Sequence, residues 1–232
     1  EVCDIAGVAR IAHDGGAKLV VDNVFATPIF QRTLQLGADI VVYSATKHID
    51  GQGRCLGGIV LGTREYIQEL FIPFNKHTGP SMSPFNAWVM LKGLETIALR
   101  CDAQADTAKK IVNALSGNNK INRMLFPMDK SHPQYALAKS QMTKGGTVIS
   151  FEIEGGKRAA FRFLNALKII IISNNLGDAK SLATHPVTTT HKNMTAEARA
   201  LAGITDGFVR LSVGLEDPDD LILDLLEALK EA

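Results

Sequence analysis

Two short apolar runs, "KLVVD" at Lys18 to Asp22 and "DIVVY" at Asp39 to Tyr43, constrain the fold of this chain more than any other feature. Neither alternates polar with apolar residues, as a strand with one wet face would, so each is expected to be a strand covered on both faces. Between them, Pro28 to Leu36 reads as a helix, with Thr27 as N-cap, Pro28 in the first turn and Gly37 just past the end. Strand, helix and strand in so short a span predict a right-handed crossover in a parallel sheet. Leu56 to Leu61 reads as the next strand. Val2 to Ala12, stopped at Gly15-Gly16, reads as a preceding helix.

From Pro84 to Leu115, apolar residues recur at helical spacing, which predicts one long helix connecting two domains, with Gly93 as the place for a kink. Beyond it the pattern changes. In Thr147 to Ile153, Ile149, Phe151 and Ile153 alternate with Ser150 and Glu152, as in an antiparallel strand with one wet face. A helix (Lys157 to Leu167), a strand (Ile169 to Ser173), a capped helix (Thr195 to Ala202) and a strand (Phe208 to Val213) are expected next. The last helix opens on "DPDD", with Asp217 as N-cap and Pro218 at its first position. The expected architecture is a mostly parallel α/β part, residues 1–100, followed by a smaller α+β domain, residues 101–232.

The bulk numbers remove several function classes. With 25 basic against 24 acidic residues and no cationic run, neither a nucleic-acid nor a membrane-surface partner is expected. No stretch approaches the roughly 20 consecutive apolar residues of a membrane span. Cys3, Cys55 and Cys101 are too few and too scattered for a disulfide framework or a zinc site, which fits a cytoplasmic location. The chain opens at Glu1 with no initiator Met, so it reads as a segment of a longer protein.

Ligands of open parallel sheets sit beyond the carboxyl ends of the strands. Here one strand end offers Asp22-Asn23 and its neighbour offers Ser44, Thr46 and Lys47. Alternation would put the two hydroxyls on one side and the Lys47 amine on the other. Those groups suit a ligand with a phosphate, an aldehyde and a basic ring nitrogen, which are the three features of pyridoxal phosphate. Lys47 would form the Schiff base, Ser44 and Thr46 would donate to phosphate oxygens, and Asp22 would keep the ring nitrogen protonated. Singly, each residue has a plainer role: Asp22 as a turn residue, Ser44 and Thr46 as loop hydrogen bonders, Lys47 as a solvated charge. "HID" at His48 to Asp50 lacks a third metal ligand. Gly51, Gly53, Gly57 and Gly58 match neither a dinucleotide fingerprint nor a P-loop. Arg210, on the polar side of its strand, reads by default as a surface arginine and otherwise as a clamp for a substrate carboxylate.

Four ordered segments, "VVDNVFATP", "VVYSATKHIDGQGRCLGG", "NNLGDAKSLATHP" and "VRLSVGLEDPDDL", resemble the pyridoxal-phosphate enzymes of cysteine and methionine metabolism: cystathionine synthases and lyases, methionine γ-lyases and homoserine-ester sulfhydrylases. The resemblance implies the C-terminal part of an aspartate-aminotransferase-like (fold type I) large domain plus a small domain. It implies Lys47 as the Schiff-base lysine, Asp22 as ring partner, Ser44 and Thr46 as phosphate ligands, and Arg210 as the α-carboxylate clamp. Gly51-Gln52, where many relatives have Gly-His, and Asn175, where lyases often have Ser, are similar to the sulfhydrylase branch and make Asn175 a substrate-side residue. The implied reaction is γ-replacement, O-succinylhomoserine and sulfide giving homocysteine and succinate, with γ-synthase or γ-lyase chemistry as alternatives. The family also implies a homo-oligomer, a dimer of dimers, and further residues supplied from an earlier part of the chain. Without that part, the reading from another class is a catalytically incomplete assembly fragment.

Overall fold

A computed structural model describes all 232 residues. Helix α1 (Ile5–Asp14) is started by Asp4, whose carboxylate accepts from the Gly7 amide at 2.9 Å. Strand β1 (Val20–Asp22) pairs in parallel with β2 (Ile40–Ser44), Val20 lying opposite Ile40, and β2 pairs antiparallel with β3 (Gly58–Leu61). The third strand runs back because the loop from Ala45 to Gly57 returns without a crossover element. β1 is the edge of this sheet, and Val20 is 53% exposed, so the expected burial on both faces fails at β1.

The crossover helix is shorter than its apolar pattern predicts. α2 covers only Thr27–Phe30, and the chain re-forms a 3-10 turn at Thr33–Leu36 before Gly37, which has φ 103°. The cause is Asn23, a buried side chain whose Nδ2 donates to Thr27 O (3.1 Å) and Gln31 O (2.9 Å). A side-chain amide that takes backbone carbonyls competes with the helical ladder.

After α3 (Ile72–Thr78), the expected long helix is two: α4 (Pro84–Leu94) and α5 (Ile97–Leu115). The break follows Gly93, where an added Cβ would stand 2.1 Å from Ile49 O, so the helix touches the loop after β2 with bare backbone. α5 belongs to two cores. Ile97, Cys101 and Ala105 pack with Val41, Ala45 and Met90, whereas Ala108, Ile111 and Leu115 pack with the second sheet.

That sheet has the order β4-β5-β8-β7-β6, built from β4 (Ile121–Leu125), β5 (Val148–Ile153), β6 (Ile171–Ile172), β7 (Leu182–Thr184) and β8 (Phe208–Ser212). Helices α6 (Tyr135–Gln141), α7 (Gly156–Ala166), α8 (Ala196–Leu201) and α9 (Pro218–Lys230) complete the chain. Ile149, Phe151 and Ile153 point into the core as their alternation predicts. The strand expected over Ile169 to Ser173 shrinks to two residues because the Asp224 carboxylate takes the amides of Lys168 (2.8 Å), Ile169 (3.0 Å) and Ile170 (3.0 Å). β4 and β7 escaped the sequence pattern: β4 exposes Asn122 and Arg123 in mid-strand, and β7 is three buried residues with no alternation. No helix is long and apolar enough to cross a membrane.

Candidate active site

β2 ends at Ser44 and the chain curls at once. The Lys47 amide donates to Ser44 O (3.1 Å), Asp50 N to Ala45 O (2.8 Å) and Gly51 N to Lys47 O (2.7 Å). Strand alternation therefore stops before Thr46 and Lys47, and a turn aims their side chains instead. Thr46 Oγ1 accepts from the Gly57 amide at 3.1 Å, which leaves its O–H to donate elsewhere. The glycines that follow serve packing. Gly51 has φ 69° and a Cβ there would meet Arg100 Nη1 at 1.9 Å; a Cβ on Gly57 would strike Met90.

The turn carries Lys47 Nζ to Asn175 Oδ1, with which it hydrogen-bonds. Asn175 follows β6, and its backbone is held from β8: Arg210 donates to Asn174 O (2.8 Å) and Asn175 O (3.3 Å). Arg210 stands between Ser150 and Thr184 in register, half-buried, and so is not the surface arginine of the default expectation. Burial, and then repulsion from the Arg210 cation, hold the Lys47 amine below the ordinary lysine pKa.

Loop 174–181 is fastened to both cores. Leu176 packs in the first core, the Gly177 amide donates to Ser212 Oγ (2.9 Å), the Ala179 amide to Gly51 O (2.8 Å) and Gln104 Nε2 to Asp178 O (2.7 Å). Ser212, two residues after Arg210 on the same side of β8, is fully buried, because this loop covers it.

Asp22 lies at the end of β1, exposed, with Oδ1 accepting from the Val24 amide at 3.0 Å in a turn. Asp22 and Arg210 line one cleft of about 950 Å³ between the two sheets, a volume within the usual range for ligand pockets. Ser44, Thr46 and Lys47 do not line it; Lys47 reaches it through Asn175 and Arg210. The structure thus joins Lys47, Asn175 and Arg210 in one cluster and places Asp22 with Arg210 in one cleft.

His48 and Asp50 are already engaged. Asp50, a buried carboxylate, accepts from Arg54 N (2.7 Å) and Arg54 Nε (2.9 Å). His48 is 3% exposed and its Nε2 lies 2.8 Å from Thr147 Oγ1, so it ties the Lys47 turn to the start of β5. Burial, with Arg100 beside it, lowers the His48 pKa from 6.5 to about 4. Between those two values the unfolded chain binds the proton that the folded chain refuses, so stability rises with pH across that window. The contribution is whole above pH 6.5 and falls by roughly 3 kcal/mol once the pH is below 4. His48→Phe should therefore flatten the difference in urea-unfolding free energy between pH 4 and pH 7; an unchanged slope would refute this assignment.

An amine of lowered basicity, hydroxyls at the same strand end, and a carboxylate on the neighbouring strand fit the aldehyde, phosphate and ring nitrogen of pyridoxal phosphate. The fold is the mixed α/β one expected, and these residue types are compatible with that cofactor. The profile of the Cys/Met metabolism PLP-dependent enzymes matches residues 1–230, and the chain belongs to that family. It is 55% identical over 230 residues to an O-succinylhomoserine sulfhydrylase of Mycobacterium tuberculosis, matching 97% of this chain and 57% of that protein. It is 45% identical to an L-methionine γ-lyase of Pseudomonas putida, over 99% of this chain and 58% of the relative. The crystal structure of a cystathionine γ-synthase from Xanthomonas oryzae pv. oryzae, in complex with aminoacrylate and cysteine, superposes with a TM-score of 0.96 at 38% identity, covering 100% of this chain and 60% of that one. The chain thus spans less than two thirds of the proteins it matches.

Sequence reasoning missed Arg100. Arg100 is 7% exposed, and its guanidinium donates to the carbonyls of His48, Ile49 and Gly93. Its signal was present: Arg100 falls on the buried face of α5, one turn before Gln104, where a cation needs a reason.

Proposed function

We propose that this chain carries the lysine-bearing half of the active site of an enzyme that exchanges the γ-substituent of an activated homoserine, O-succinylhomoserine and sulfide giving homocysteine and succinate. The observation that carries this reading is the half-buried Lys47 amine, hydrogen-bonded to Asn175 and beside Arg210. Lys47, Asp22, Ser44 and Thr46 are the residues that would hold pyridoxal phosphate. When bound, it supplies an electron sink for the pair left at the substrate α-carbon. A neutral amine is required for proton abstraction, and the lowered Lys47 basicity enlarges the neutral fraction near neutral pH. Lys47 removes the α-proton and moves protons at the β-carbon, while Asn175 orients the amine. Arg210 fixes the α-carboxylate through its planar guanidinium, already oriented by the carbonyls of Asn174 and Asn175. Asp22 keeps the ring nitrogen protonated.

Arg210→Lys should lower kcat/KM for the amino-acid substrate about 100-fold, mostly through KM, because an ammonium cannot form the bidentate pair. Steady-state kinetics check it, and an unchanged KM would exclude the clamp. The 45% identity to a methionine γ-lyase favours a second reading, γ-elimination on the same site. Incubation with O-succinylhomoserine and sulfide separates the two: homocysteine with succinate supports replacement, whereas 2-oxobutanoate, ammonia and succinate without homocysteine support elimination. The two cores that meet in α5 support a division of the chain near Arg100. The exposed Phe74, Phe85 and Trp88 support association into a homo-oligomer.

A further inference from the structure

Directly after Lys47 the backbone leaves two carbonyls, those of His48 and Ile49, inside the protein with no amide to meet them. Buried carbonyls without donors are rare in native structures. Arg100 supplies the donors from α5: Nη1 reaches His48 O at 2.8 Å, and Nη2 reaches Ile49 O at 3.3 Å and Gly93 O at 2.8 Å. Thr96 Oγ1 accepts from Nε at 3.1 Å and fixes the plane of the group. No carboxylate pairs with this buried cation, since Asp50 is held by Arg54. One planar side chain thus closes two carbonyls of the turn after Lys47 and joins them to Gly93 in the last turn of α4. Gly51 and Gly93 are the matching surfaces: a Cβ on Gly51 would meet Nη1 at 1.9 Å, and a Cβ on Gly93 would meet Ile49 O at 2.1 Å.

We infer that Arg100 is a positioning residue for Lys47. It sets the turn 47–51 and so fixes the path along which the Lys47 amine reaches Asn175, although Arg100 itself touches neither. This rests on the proposed role of Lys47. One fork-shaped cation serves three carbonyls from two elements, whereas a lysine in its place presents a point charge that satisfies them in only one direction. Displacement of a reacting group by about 1 Å can lower turnover about 100-fold.

The test uses the pyridoxal-phosphate-loaded enzyme and its Arg100→Ala and Arg100→Lys variants. Expected are folded proteins by circular dichroism, a borohydride-stable pyridoxyl label still on Lys47, and a kcat about 100-fold lower with KM changed less than about threefold. Ethylguanidinium should restore at least about tenfold of the kcat lost by Arg100→Ala, because it refills the missing donors. The pH midpoint of the lysine-linked visible absorption should also move in both variants. A kcat within twofold of the parent in either folded variant overturns the proposal. So does a loss that ethylguanidinium does not relieve, or failure of both variants to fold, either of which makes Arg100 structural only. A parent enzyme that takes no label on Lys47 refutes the function reading itself, an outcome separate from all of these.

Discussion

Replacing Lys47 by alanine should lower turnover of the pyridoxal-phosphate-loaded enzyme by about 10⁴-fold, the upper range for removal of a positioned acid–base group. The fold should tolerate the change. Lys47 is half-buried and its amine has one protein partner, Asn175, whose amide can turn to water when the lysine is gone. The thermal midpoint should therefore stay within a few degrees of the parent while activity collapses, a split that a structural lysine would not produce. Borohydride treatment followed by peptide mass spectrometry gives the second readout, a pyridoxyl label on the Lys47 peptide of the parent and none in the variant. Turnover within tenfold of the parent, or a label carried by another lysine, would end the assignment.

The second large effect concerns stability. Asp224→Ala should destabilise the fold by about 2–3 kcal/mol, because three backbone amides, those of Lys168, Ile169 and Ile170, lose a carboxylate acceptor, and the last of them is buried. Asp224 is 6% exposed and sits on α9 among Leu221, Leu225 and Ala228, and Ile170 is buried with it, so solvent can make good the loss at Lys168 and Ile169 but not at Ile170. For a chain of this length the fall in thermal midpoint is about 5–10 °C. Asp224→Asn should do nearly as badly, since its NH₂ turns donors toward donors. Differential scanning calorimetry decides it, and a midpoint within about 2 °C of the parent would show that these bonds are replaced. The same residues lead into β6 and on to Asn175, so hydrogen exchange at Ile171 to Asn175 should quicken in either variant.

Much of the fold was legible because local chemistry and tertiary structure agree. Asp217 caps α9 through the amides of Asp219 and Asp220, Thr195 caps α8, and the alternation in β5 matches its burial. Disagreement came where one side chain or one glycine overrode propensity. Asn23 cut α2 short, Gly93 let α4 and α5 part against Ile49, and Asp224 kept Ile169 and Ile170 out of the sheet. Gly93 with Ile49 and Asp224 with Ile169 and Ile170 are contacts between residues far apart in the chain, which no window of sequence contains, whereas Asn23 takes carbonyls four and eight residues on, a local competition that apolar periodicity does not register.

By itself the sequence determined that two apolar strands end in a carboxylate and in a Ser-x-Thr-Lys group, and that the chain belongs among the enzymes of cysteine and methionine metabolism. Periodicity carries the strands and the four segments carry the family, because strand patterning and strand-end chemistry are local properties. Only the tertiary structure decided which groups meet: Lys47 with Asn175, Arg210 with the carbonyls of Asn174 and Asn175, and Arg100 with the turn that follows the lysine. The physical reason is that a buried donor or acceptor must find a partner wherever packing delivers one, and that partner is set by how two cores share α5.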